Sequence, residues 1–410
     1  MPKNGRKTIV MKFGGTSLST PEHIKKVARY VAKESKSSDV VAVVSAMGKT
    51  TDGILKLFGD VCLKPPDREI DHGLATGEQL SASLLAAALA SKGVRSRSLS
   101  CYQMRLIARG PHGNGKIVRV QNLRYMRRFL KSGHVLVCAG FQGVDSQKKE
   151  IYTLGRGGSD TSAVSLAYAL KAHECRIFTD VDGVYSVDPR VVPTAKRFPK
   201  ISHRQMLSLS SSGAGVLHDR CVLLALELNM PIQVLLSPSF GQSRGGTRVL
   251  SHQMNGSIES EHADDEAGIA IRNDVAVITM HNIPNSPGKL SSRLKHIQDI
   301  MIGDAIQSCG NGTSSVTLWV KIADSHEIVR RLNRQKIKAT VNLDCSCLTL
   351  VSPSMEENPG YLYRVSRALG RAKSNIMWLS SSGSSILAIV KSNGIKKAAL
   401  ALAREFSLCE

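Results

Sequence analysis

TLGRGGSDTSAVSLAYAL, at Thr153–Leu170, is the stretch on which the interpretation of the whole chain depends. It is typical of a strand that ends in a glycine-rich turn and leads into a helix. Gly155, Gly157 and Gly158 allow the backbone to turn tightly and to expose its N–H groups. Apolar residues then repeat at helical spacing: Ala163, Leu166, Ala167 and Leu170.

The same turn is a candidate anion site. Asp160, Thr161 and Ser162 are residue types that cap helix N-termini, and a helix N-terminus attracts anions through its unpaired N–H groups. Arg156 could hold a carboxylate or a phosphate through two parallel hydrogen bonds. A surface turn with an incidental arginine fits these residues equally well, so the rest of the chain has to decide.

The composition describes a globular chain. A length of 410 residues predicts two or three domains, and 42% of the residues are hydrophobic. The longest apolar run, Leu84–Ala90, is far too short to span a bilayer, and the first residues contain no signal-peptide core. Nine cysteines are scattered without zinc or disulfide spacing, which predicts reduced, mostly buried thiols in a cytoplasm.

The net charge of +22 is the unusual feature of the composition. A basic surface suits nucleic acid, an anionic membrane or anionic small substrates. Lysine and arginine are spread along the chain, however, and only 4% of the residues are aromatic and able to stack on bases. A generally basic surface is therefore favoured over nucleic-acid binding as the main function.

Strand-like and helical segments alternate over the first 250 residues. The apolar run at 40–45 is typical of a strand buried in a parallel sheet, and further strands are predicted at 8–12, 94–98, 134–139, 151–154, 176–179 and 232–236. Such alternation predicts a mostly parallel sheet with helices on both faces. Ligands then bind at the carboxyl ends of the strands, where the turns after Lys12, Leu154 and Thr179 are expected to lie.

An internal repeat follows a polar segment at 251–267, which is interpreted as a linker. The strand–turn–helix pattern around Pro287-Gly288 recurs around Pro359-Gly360, 72 residues later, and each copy is followed by a further strand. Two small β-α-β-type modules, of the kind that pair edge to edge and bind small ligands at the seam, are predicted. The predicted domains are therefore 1–250, 268–342 and 343–410.

Lys12 precedes a second glycine turn, Phe13-Gly14-Gly15-Thr16-Ser17. The turn is not a Walker A loop, because no Gly-Lys-Ser/Thr closes it. A lysine at a strand end could nevertheless reach phosphate oxygens while the glycine N–H groups cradle others. An ordinary strand-to-helix turn is the plain alternative.

A third loop runs from Thr179 to Arg190, TDVDGVYSVDPR, and is rich in aspartate. Its carboxylates could hold nucleotide hydroxyls or a magnesium ion, which prefers oxygen ligands. An acidic turn with local side-chain hydrogen bonds is the alternative.

Six motifs together carry a resemblance to a known family. KFGGTS, VVAVVSAMGKTTD, TGEQ, VCAGFQGV, TLGRGGSDTSA and TDVDGVYSVDPRVVP resemble the aspartate kinases of the amino acid kinase family, and the resemblance covers nearly the whole chain. It implies a three-layer αβα catalytic domain with a mostly parallel sheet, followed by two α+β, ferredoxin-like ACT modules. The related glutamate, acetylglutamate and UMP kinases share this fold, but TGEQ and the tandem modules favour aspartate.

The resemblance implies the reaction and the partners. ATP, with Mg²⁺, would phosphorylate the side-chain carboxylate of L-aspartate to 4-phospho-L-aspartate, for diaminopimelate, lysine, threonine and methionine synthesis. A lysine or threonine effector at the ACT seam and a homodimer or higher homo-oligomer are implied as well. No direct protein ligand for the metal is predicted, and no membrane partner is expected.

The resemblance also implies the role of each site residue. Lys12 and Asp160 would be catalytic. Aspartate would be bound by Thr51, Glu78, Arg156, Gly157, Gly158 and Ser159. ATP would be bound by Lys12, Phe13, Gly14, Gly15, Thr16, Ser17, Thr179, Asp180, Tyr185, Asp188 and Arg190.

Two departures from the family pattern leave alternatives open. Gly215 stands where the family usually has a lysine near the nucleotide, with Lys196 and Arg220 as candidate substitutes. In the last module, Gly383 and Ser385 replace an acidic and a basic residue, so effector binding there is in question. A catalytically weakened paralogue that acts as a regulatory amino-acid-binding subunit is therefore the alternative to an active kinase.

Overall fold

The computed structural model describes residues 6–145, 147–241, 245–251, 267–300, 302–310, 312–355 and 358–410. These residues form two compact units. The first contains the described residues up to 184, 197–211 and 215–251, and the second contains 185–196, 212–214 and 267–410. Of the predicted linker, residues 252–266 lie outside the described part of the chain.

The first unit alternates strands and helices. Its strands are β1 (Thr8–Phe13), β2 (Asp39–Val44), β3 (Ser96–Leu99), β4 (Leu106–Arg109), β5 (Lys116–Val120), β6 (Val135–Ala139), β7 (Gln142–Val144), β8 (Ile151–Thr153), β9 (Glu174–Thr179), β10 (Lys200–Ser202), β11 (Ile232–Leu236) and β12 (Thr247–Leu250). Its helices are α1 (Pro21–Glu34), α2 (Thr50–Val61), α3 (Asp67–Ala90), α4 (Cys101–Met104), α5 (Leu123–Lys131), α6 (Gly158–Leu170), α7 (His203–Ser211) and α8 (Asp219–Glu227).

The described strands of this unit form an eight-stranded sheet in the order β10-β12-β11-β9-β1-β2-β6-β3. Every pairing is parallel except that of β11 with β12. The mostly parallel α/β fold predicted from the sequence is thus confirmed. β1 lies between β2 and β9, so successive connections run to one side of β1 first and later reach its other side. The carboxyl end of β1 is therefore a topological switch point, the place where open α/β sheets bind ligands.

Helices cover both faces of this sheet. Along β1, Ile9, Met11 and Phe13 point to one face, where they pack against α1 and α3 in a fully buried core. Lys12, which alternates with these residues, points to the other face and reaches α6. The alternation of side chains along β1 therefore directs Lys12 towards α6, the helix within Thr153–Leu170.

The position of β8 corrects one prediction. Its strand character was expected, but its place in the parallel sheet was wrong. β8 instead forms a four-stranded sheet with its hairpin partner β7 and with β4 and β5, in the order β5-β4-β7-β8 among the described strands. The short connection between Val144 and Ile151 is the reason, because it allows only antiparallel pairing of neighbours.

Two helix caps can be assigned from the structure. Thr20 caps α1, since its hydroxyl accepts the N–H of His23. Gly157 caps α6 in the left-handed conformation (φ 72°), and Asp160 therefore lies within the first turn. Glycine is suited to this place because other residues are strained there.

The second unit is built on one antiparallel sheet. Its strands are β13 (Gly268–Pro284), β14 (Asp304–Cys309), β15 (Thr313–Lys321), β16 (Ala339–Val351), β17 (Ile376–Ser382) and β18 (Ser385–Val390), and its helices are α9 (Lys289–Leu294), α10 (Ile322–Arg334), α11 (Tyr361–Arg371) and α12 (Ile395–Glu405). The described strands are ordered β14-β15-β13-β16-β18-β17.

Two cores in this unit match the two copies of the internal repeat. One contains Ile278, Val316 and Ile328, and the other contains Leu350, Val365 and Leu402. The long strands β13 and β16 pair along both cores, and Ile269 at the start of β13 packs into the second one. The predicted domain bounds 268–342 and 343–410 therefore remain predictions, because both strands serve both modules.

Two other sequence features can be located. Among the described residues, no helix combines the length and the hydropathy that crossing a bilayer requires. All nine cysteines are free thiols, six of them buried: Cys101, Cys138, Cys175, Cys221, Cys345 and Cys347.

Candidate active site

A cavity of about 310 Å³ opens at the carboxyl ends of β1 and β2 and at the start of α6. Nine residues predicted to bind substrates or to act in catalysis line it: Lys12, Gly15, Thr51, Glu78, Arg156, Gly157, Gly158, Ser159 and Asp160. They come from β1, α2, α3 and α6 and from the turns beside them. Residues separated by up to 148 positions are thus brought to one place.

Lys12 and Asp160 form an ion pair inside this cavity. Lys12 Nζ lies 2.5 Å from Asp160 Oδ1, and each side chain keeps only about an eighth of its surface exposed (13% and 12%). Opposite charges at this distance and burial hold each other in place. The amine is thus fixed above the glycine turn that follows β1.

Glu78 is a buried carboxylate with one oxygen in use. Oε1 accepts a hydrogen bond from the N–H of Ala46 at 3.0 Å, while Oε2 is buried and has no hydrogen-bond partner among the described residues. Burial raises the pKa of Glu78 to about 7, and the Ala46 hydrogen bond opposes this rise. A cationic group in the cavity would supply the missing partner.

Arg156 presents a guanidinium to the same cavity. Its side chain is exposed, and among the described residues no hydrogen bond or ion pair engages it. The fork of N–H groups is therefore available to an anionic ligand in bidentate geometry. An arginine beside a helix N-terminus adds to the attraction of that terminus for negative charge.

Two close approaches explain why glycine is found in the turns. A Cβ on Gly15 would lie 2.7 Å from the carbonyl oxygen of Ala46, and a Cβ on Gly157 would lie 2.4 Å from Cβ of His218. The N–H of Gly48 also donates to the oxygen of Gly15 at 3.0 Å. The turns after β1 and β2 thus fit closely against each other, and His218 packs on the start of α6.

Five lining residues were not predicted as site residues: Ser45, Ala46, Gly48, Phe141 and Gly155, the last of which belongs to the predicted glycine turn. The first three follow β2, and a strand end in a parallel sheet is itself a signal for such a role. Phe141 has φ 64°, an uncommon conformation for an aromatic residue, and its carbonyl accepts the N–H of Leu154. No local pattern in the sequence indicates that conformation.

Asp71 is a buried carboxylate that stabilises the segment before the Gly155–Arg156 turn. It is fully buried, and it accepts hydrogen bonds from the Thr153 hydroxyl at 2.5 Å and from the Gly113 N–H at 3.1 Å. His112 Nδ1 lies 2.7 Å from the same carboxylate, and its ring stacks on Tyr152. Asp71 therefore joins α3 to β8, the strand that leads into the Gly155–Arg156 turn.

The predicted nucleotide residues are distributed differently. Phe13 is buried in the core and stacks on Phe178, with ring centroids 4.8 Å apart, and Ser17 is also fully buried. Their side chains thus face the protein interior. Gly14 and Thr16 belong to the turn after β1, but they lie outside the residues that line the cavity.

Thr179 and Asp180 stand at the end of β9, the strand beside β1. The Thr179 hydroxyl donates to Asp180 Oδ1 at 3.0 Å, and the carbonyl of Thr179 accepts the N–H of Ser237. Parallel pairing of Phe13 with Phe178 brings this strand end next to the Gly14 turn. Both residues are thus neighbours of the cavity along the same sheet edge.

Tyr185, Asp188 and Arg190 belong to the second unit. There Arg190 pairs with Asp188, with 2.9 Å between Nη2 and Oδ2. Desolvation would raise the pKa of Asp188, but the hydrogen bonds from Arg190 outweigh it and lower the pKa. The predicted nucleotide loop is therefore divided between the two units after Val184.

Gly215 is exposed, and a side chain added to it would meet open space. Arg220, one candidate substitute for the missing lysine, donates to the carbonyl oxygens of Leu154 and Gly115 and to Asn114. Its guanidinium thus braces the turn that carries Arg156. Lys196, the other candidate, belongs to the second unit.

The two departures in the last module lie in a hairpin. Gly383 has φ 50° in the turn between β17 and β18, and Ser385 begins β18. In the first module, Asn282 (φ 57°) and Gly288 (φ 79°) flank the loop between β13 and α9, and Gly288 caps α9. Both modules thus keep a left-handed glycine before their helix, Gly360 serving α11.

No cluster of three or more metal-ligating side chains exists among the described residues. Asp160, the carboxylate nearest to Lys12, is already engaged by that amine. A magnesium ion that arrives with a nucleotide needs few protein ligands, because phosphates and waters fill its octahedral shell. The residues present therefore fit a cation held mainly by phosphate oxygens.

Comparison with known proteins agrees with this geometry. The sequence model of the amino acid kinase family matches residues 7–235. The aspartokinase of Mycolicibacterium smegmatis is 36% identical, over 98% of this chain and 96% of the relative.

Solved structures give the same result. An aspartate kinase from Synechocystis is 32% identical, over 98% of this chain and 69% of its own, with a TM-score of 0.55. Aspartokinase III of E. coli, solved with aspartate and ADP, has a TM-score of 0.76 over 97% of this chain and 99% of its own. The latter is 21% identical, so this second likeness concerns the fold.

Proposed function

This chain belongs to the amino acid kinase family, within its aspartokinases, and from that premise we propose how its residues catalyse phosphoryl transfer. The reaction is the ATP-dependent phosphorylation of the side-chain carboxylate of L-aspartate to 4-phospho-L-aspartate. One observation supports the proposed site above all: the Lys12–Asp160 pair shares a cavity with Glu78 and Arg156.

Lys12 stabilises the transferring γ-phosphoryl group. Its amine stands at the switch point of the sheet, beside the turn whose Gly14 and Gly15 N–H groups would bind other phosphate oxygens. Asp160 fixes the amine at 2.5 Å and so acts on the phosphoryl group through Lys12. Charge on the equatorial oxygens in the transition state is thereby neutralised.

Aspartate is bound by groups that have no hydrogen-bond partner among the residues that the structure describes. Glu78 Oε2 receives the α-ammonium group, and the Arg156 fork receives a carboxylate. Thr51, at the start of α2, and Ser159, in the first turn of α6, add hydroxyl groups. The N-terminus of α6 stabilises the negative charge that both substrates bring.

No general base is required. The acceptor is a carboxylate with a pKa near 4 in water, and it is therefore ionised at neutral pH. Catalysis then depends on in-line positioning and charge neutralisation. His203, which is buried, donates its Nε2–H to the carbonyl oxygen of Met230, and its Nδ1 lies 3.2 Å from the Ser251 hydroxyl, so this histidine is part of the fold.

ATP binds along the edge formed by the ends of β1 and β9. Backbone groups of Phe13 and Gly14 fit this role better than the buried Phe13 ring does. Thr179 and Asp180 provide polar groups there for the nucleoside. The nucleotide roles of Tyr185, Asp188 and Arg190 stay predictions from the sequence. Bound Mg²⁺ would neutralise the β- and γ-phosphates, with Asp180 as an exposed carboxylate within the same edge.

Three further features are proposed with this function. A lysine or threonine effector binds at the seam where β13 and β16 join the two ACT modules. The chain acts as a homodimer or higher homo-oligomer, which is the common form of enzymes with paired regulatory modules. It works in the cytoplasm, in keeping with nine free thiols.

A hydroxamate assay with purified protein, ATP, Mg²⁺ and L-aspartate tests the function. Hydroxylamine traps the acyl phosphate, so turnover that requires all three reactants is expected. Glutamate in place of aspartate serves as the substrate control. Absence of turnover at millimolar aspartate would instead support the weakened paralogue, which no structural observation favours.

A further inference from the structure

A second cavity of about 720 Å³ lies at the opposite edge of the parallel sheet. Its lining includes Thr8 and Asp39, the first residues of β1 and β2, whereas the catalytic cavity lies at the carboxyl ends of these strands. At about 3.3 Å per residue, Thr8 and Lys12 are roughly 13 Å apart along β1. The two cavities are therefore separate.

Basic side chains dominate this second cavity. Six of the ten residues that line it are basic: Arg6, Lys7, Arg127, Lys131, Lys171 and His173. The only acidic residue among the ten is Asp39, and Arg6 engages it, with 3.4 Å between Nε and Oδ1. Arg6 also donates to the carbonyl of Ser38 and is thus part of the fold.

The remaining cations are not neutralised. Among the described residues, no carboxylate lies within 4.0 Å of Lys7, Arg127, Lys131 or Lys171. Lys7 Nζ instead lies 3.3 Å from His173 Nε2, which pairs two basic groups. Like charges that converge on one concave wall repel each other and focus a positive potential into it.

Only part of this charge has a structural use. Arg127 donates to the carbonyl of Ala169 in the last turn of α6, where cations offset the helix dipole. Lys131 ends α5 with an exposed side chain, and Lys171 follows α6 in a left-handed conformation (φ 58°). Neither lysine makes a hydrogen bond through its amine to another described residue.

We propose that this cavity, which we call the basic cavity, binds a small anion with two or more negative charges, of the phosphate or carboxylate type. The volume suits a ligand of metabolite size, and Lys7, Lys131 and Lys171, which line the cavity, supply its charge complement. The site is independent of the reaction proposed above.

The basic cavity also touches both main elements of the catalytic cavity. α6 begins at Gly158, which lines the catalytic cavity, and ends at Leu170, which lines the basic cavity. Likewise, β1 contributes Lys12 to the catalytic cavity and Thr8 to the basic cavity. The thirteen residues of α6 correspond to about 20 Å of helix. The two cavities are therefore connected through the same helix and the same strand.

The test is a calorimetric titration of the full chain at 150 mM salt, in magnesium-free buffer, with inorganic pyrophosphate in one arm and benzene-1,3,5-tricarboxylate in the other. Binding of at least one anion is expected, with affinity reduced at least about 10-fold in the Lys7→Ala/Lys131→Ala variant. The arm that binds more tightly identifies the chemical type. Lys131→Glu, a change at an exposed helix end, is the second variant if the double variant does not fold.

Two control variants locate the binding. Lys92→Ala removes one exposed charge from the turn after α3, outside both cavities, and should leave the affinity unchanged. Lys12→Met alters the catalytic cavity, and it should also leave the affinity for this second site unchanged.

Several results would overturn the proposal. Equal weakening by Lys92→Ala would mean general charge attraction, and loss with Lys12→Met alone would mean that the anion enters the catalytic cavity. Absence of binding by either anion at 150 mM salt would refute the site outright. A single-stranded RNA that binds through Lys7 and Lys131 while neither small anion binds would assign the surface to nucleic acid.

Discussion

Lys12 Nζ and Asp160 Oδ1 lie 2.5 Å apart, although 148 positions separate the two residues in the chain. Lys12 is the penultimate residue of β1, and Asp160 lies in the first turn of α6. The contact thus joins the glycine turn after β1 to the glycine turn around Gly157, where α6 begins. Five predictions concern this pair and the residues around it.

Replacement of Lys12 by methionine keeps most of the side-chain volume and removes the charge. We expect kcat in the hydroxamate assay to fall by about 10²–10³-fold or more, because the cation acts on charge that develops in the transition state. Asp160 would then be left without its partner, at a cost of about 1–3 kcal/mol in the free energy of unfolding. The Lys12→Met/Asp160→Asn variant is the control, and it should recover stability but not turnover. Retained turnover in either variant would contradict the catalytic role of Lys12.

The pKa of Glu78 predicts how aspartate binding responds to pH. With a pKa of about 7 in the unliganded protein, this carboxyl is protonated below that pH and loses its attraction for an ammonium group. The KM for aspartate should therefore rise by up to about 10-fold for each pH unit below 7. In Glu78→Gln the KM should be higher at neutral pH and should lack this rise. A KM profile that is identical in both proteins would exclude Glu78 as the ammonium ligand.

The same pKa predicts the pH dependence of stability. Because the folded-state pKa of Glu78 is raised above its value in the unfolded chain, the folded protein binds the proton more tightly. Stability from this group is thus greatest at low pH and is lost as pH rises from about 4.3 to about 7, by up to about 3 kcal/mol. Chemical denaturation of wild type and Glu78→Gln at pH 5 and pH 8 measures the difference. A stability difference between the two proteins that does not change with pH would contradict the burial effect.

Replacement of Arg156 by alanine should raise the KM for aspartate by about 10–100-fold with a smaller effect on the KM for ATP. Arg156→Lys keeps the charge without the two-pronged geometry, and it should lie between wild type and alanine. Arg109→Ala removes an exposed arginine from the end of β4 as the matched control. An unchanged KM for aspartate in Arg156→Ala would refute the carboxylate clamp.

Introduction of the family lysine at Gly215 should tighten ATP binding. The position is exposed and a side chain there meets open space, so no strain is expected. Arg220 is committed to Leu154 and Gly115, and it therefore does not replace the missing cation. We expect the KM for ATP to fall by about 3–10-fold, since one charge-assisted contact is added. Gly59→Lys, at an open position on α2, is the matched control, and an equal fall there would attribute the effect to net charge.

Much of the first unit follows from local sequence. The apolar run at 40–45 and the glycine turn after Lys12 identify β1, β2 and their carboxyl ends, because strand burial and turn geometry are properties of a few neighbouring residues. Local patterns were insufficient for β8. Its three residues are all buried, like those of a parallel strand, and only the hairpin with β7 assigns it to the smaller sheet.

The sequence by itself determined the identity of the reacting groups: a lysine at a strand end, an arginine in a glycine turn, and a carboxylate three residues into the next helix. The tertiary structure decided which of them meet and in what state. Glu78 acquires its raised pKa because α3 buries it beside Ala46, and Lys12 is held because alternation along β1 directs it to α6. Charge state and contact distance depend on burial and packing between distant segments, and neither is encoded in the order of neighbouring residues.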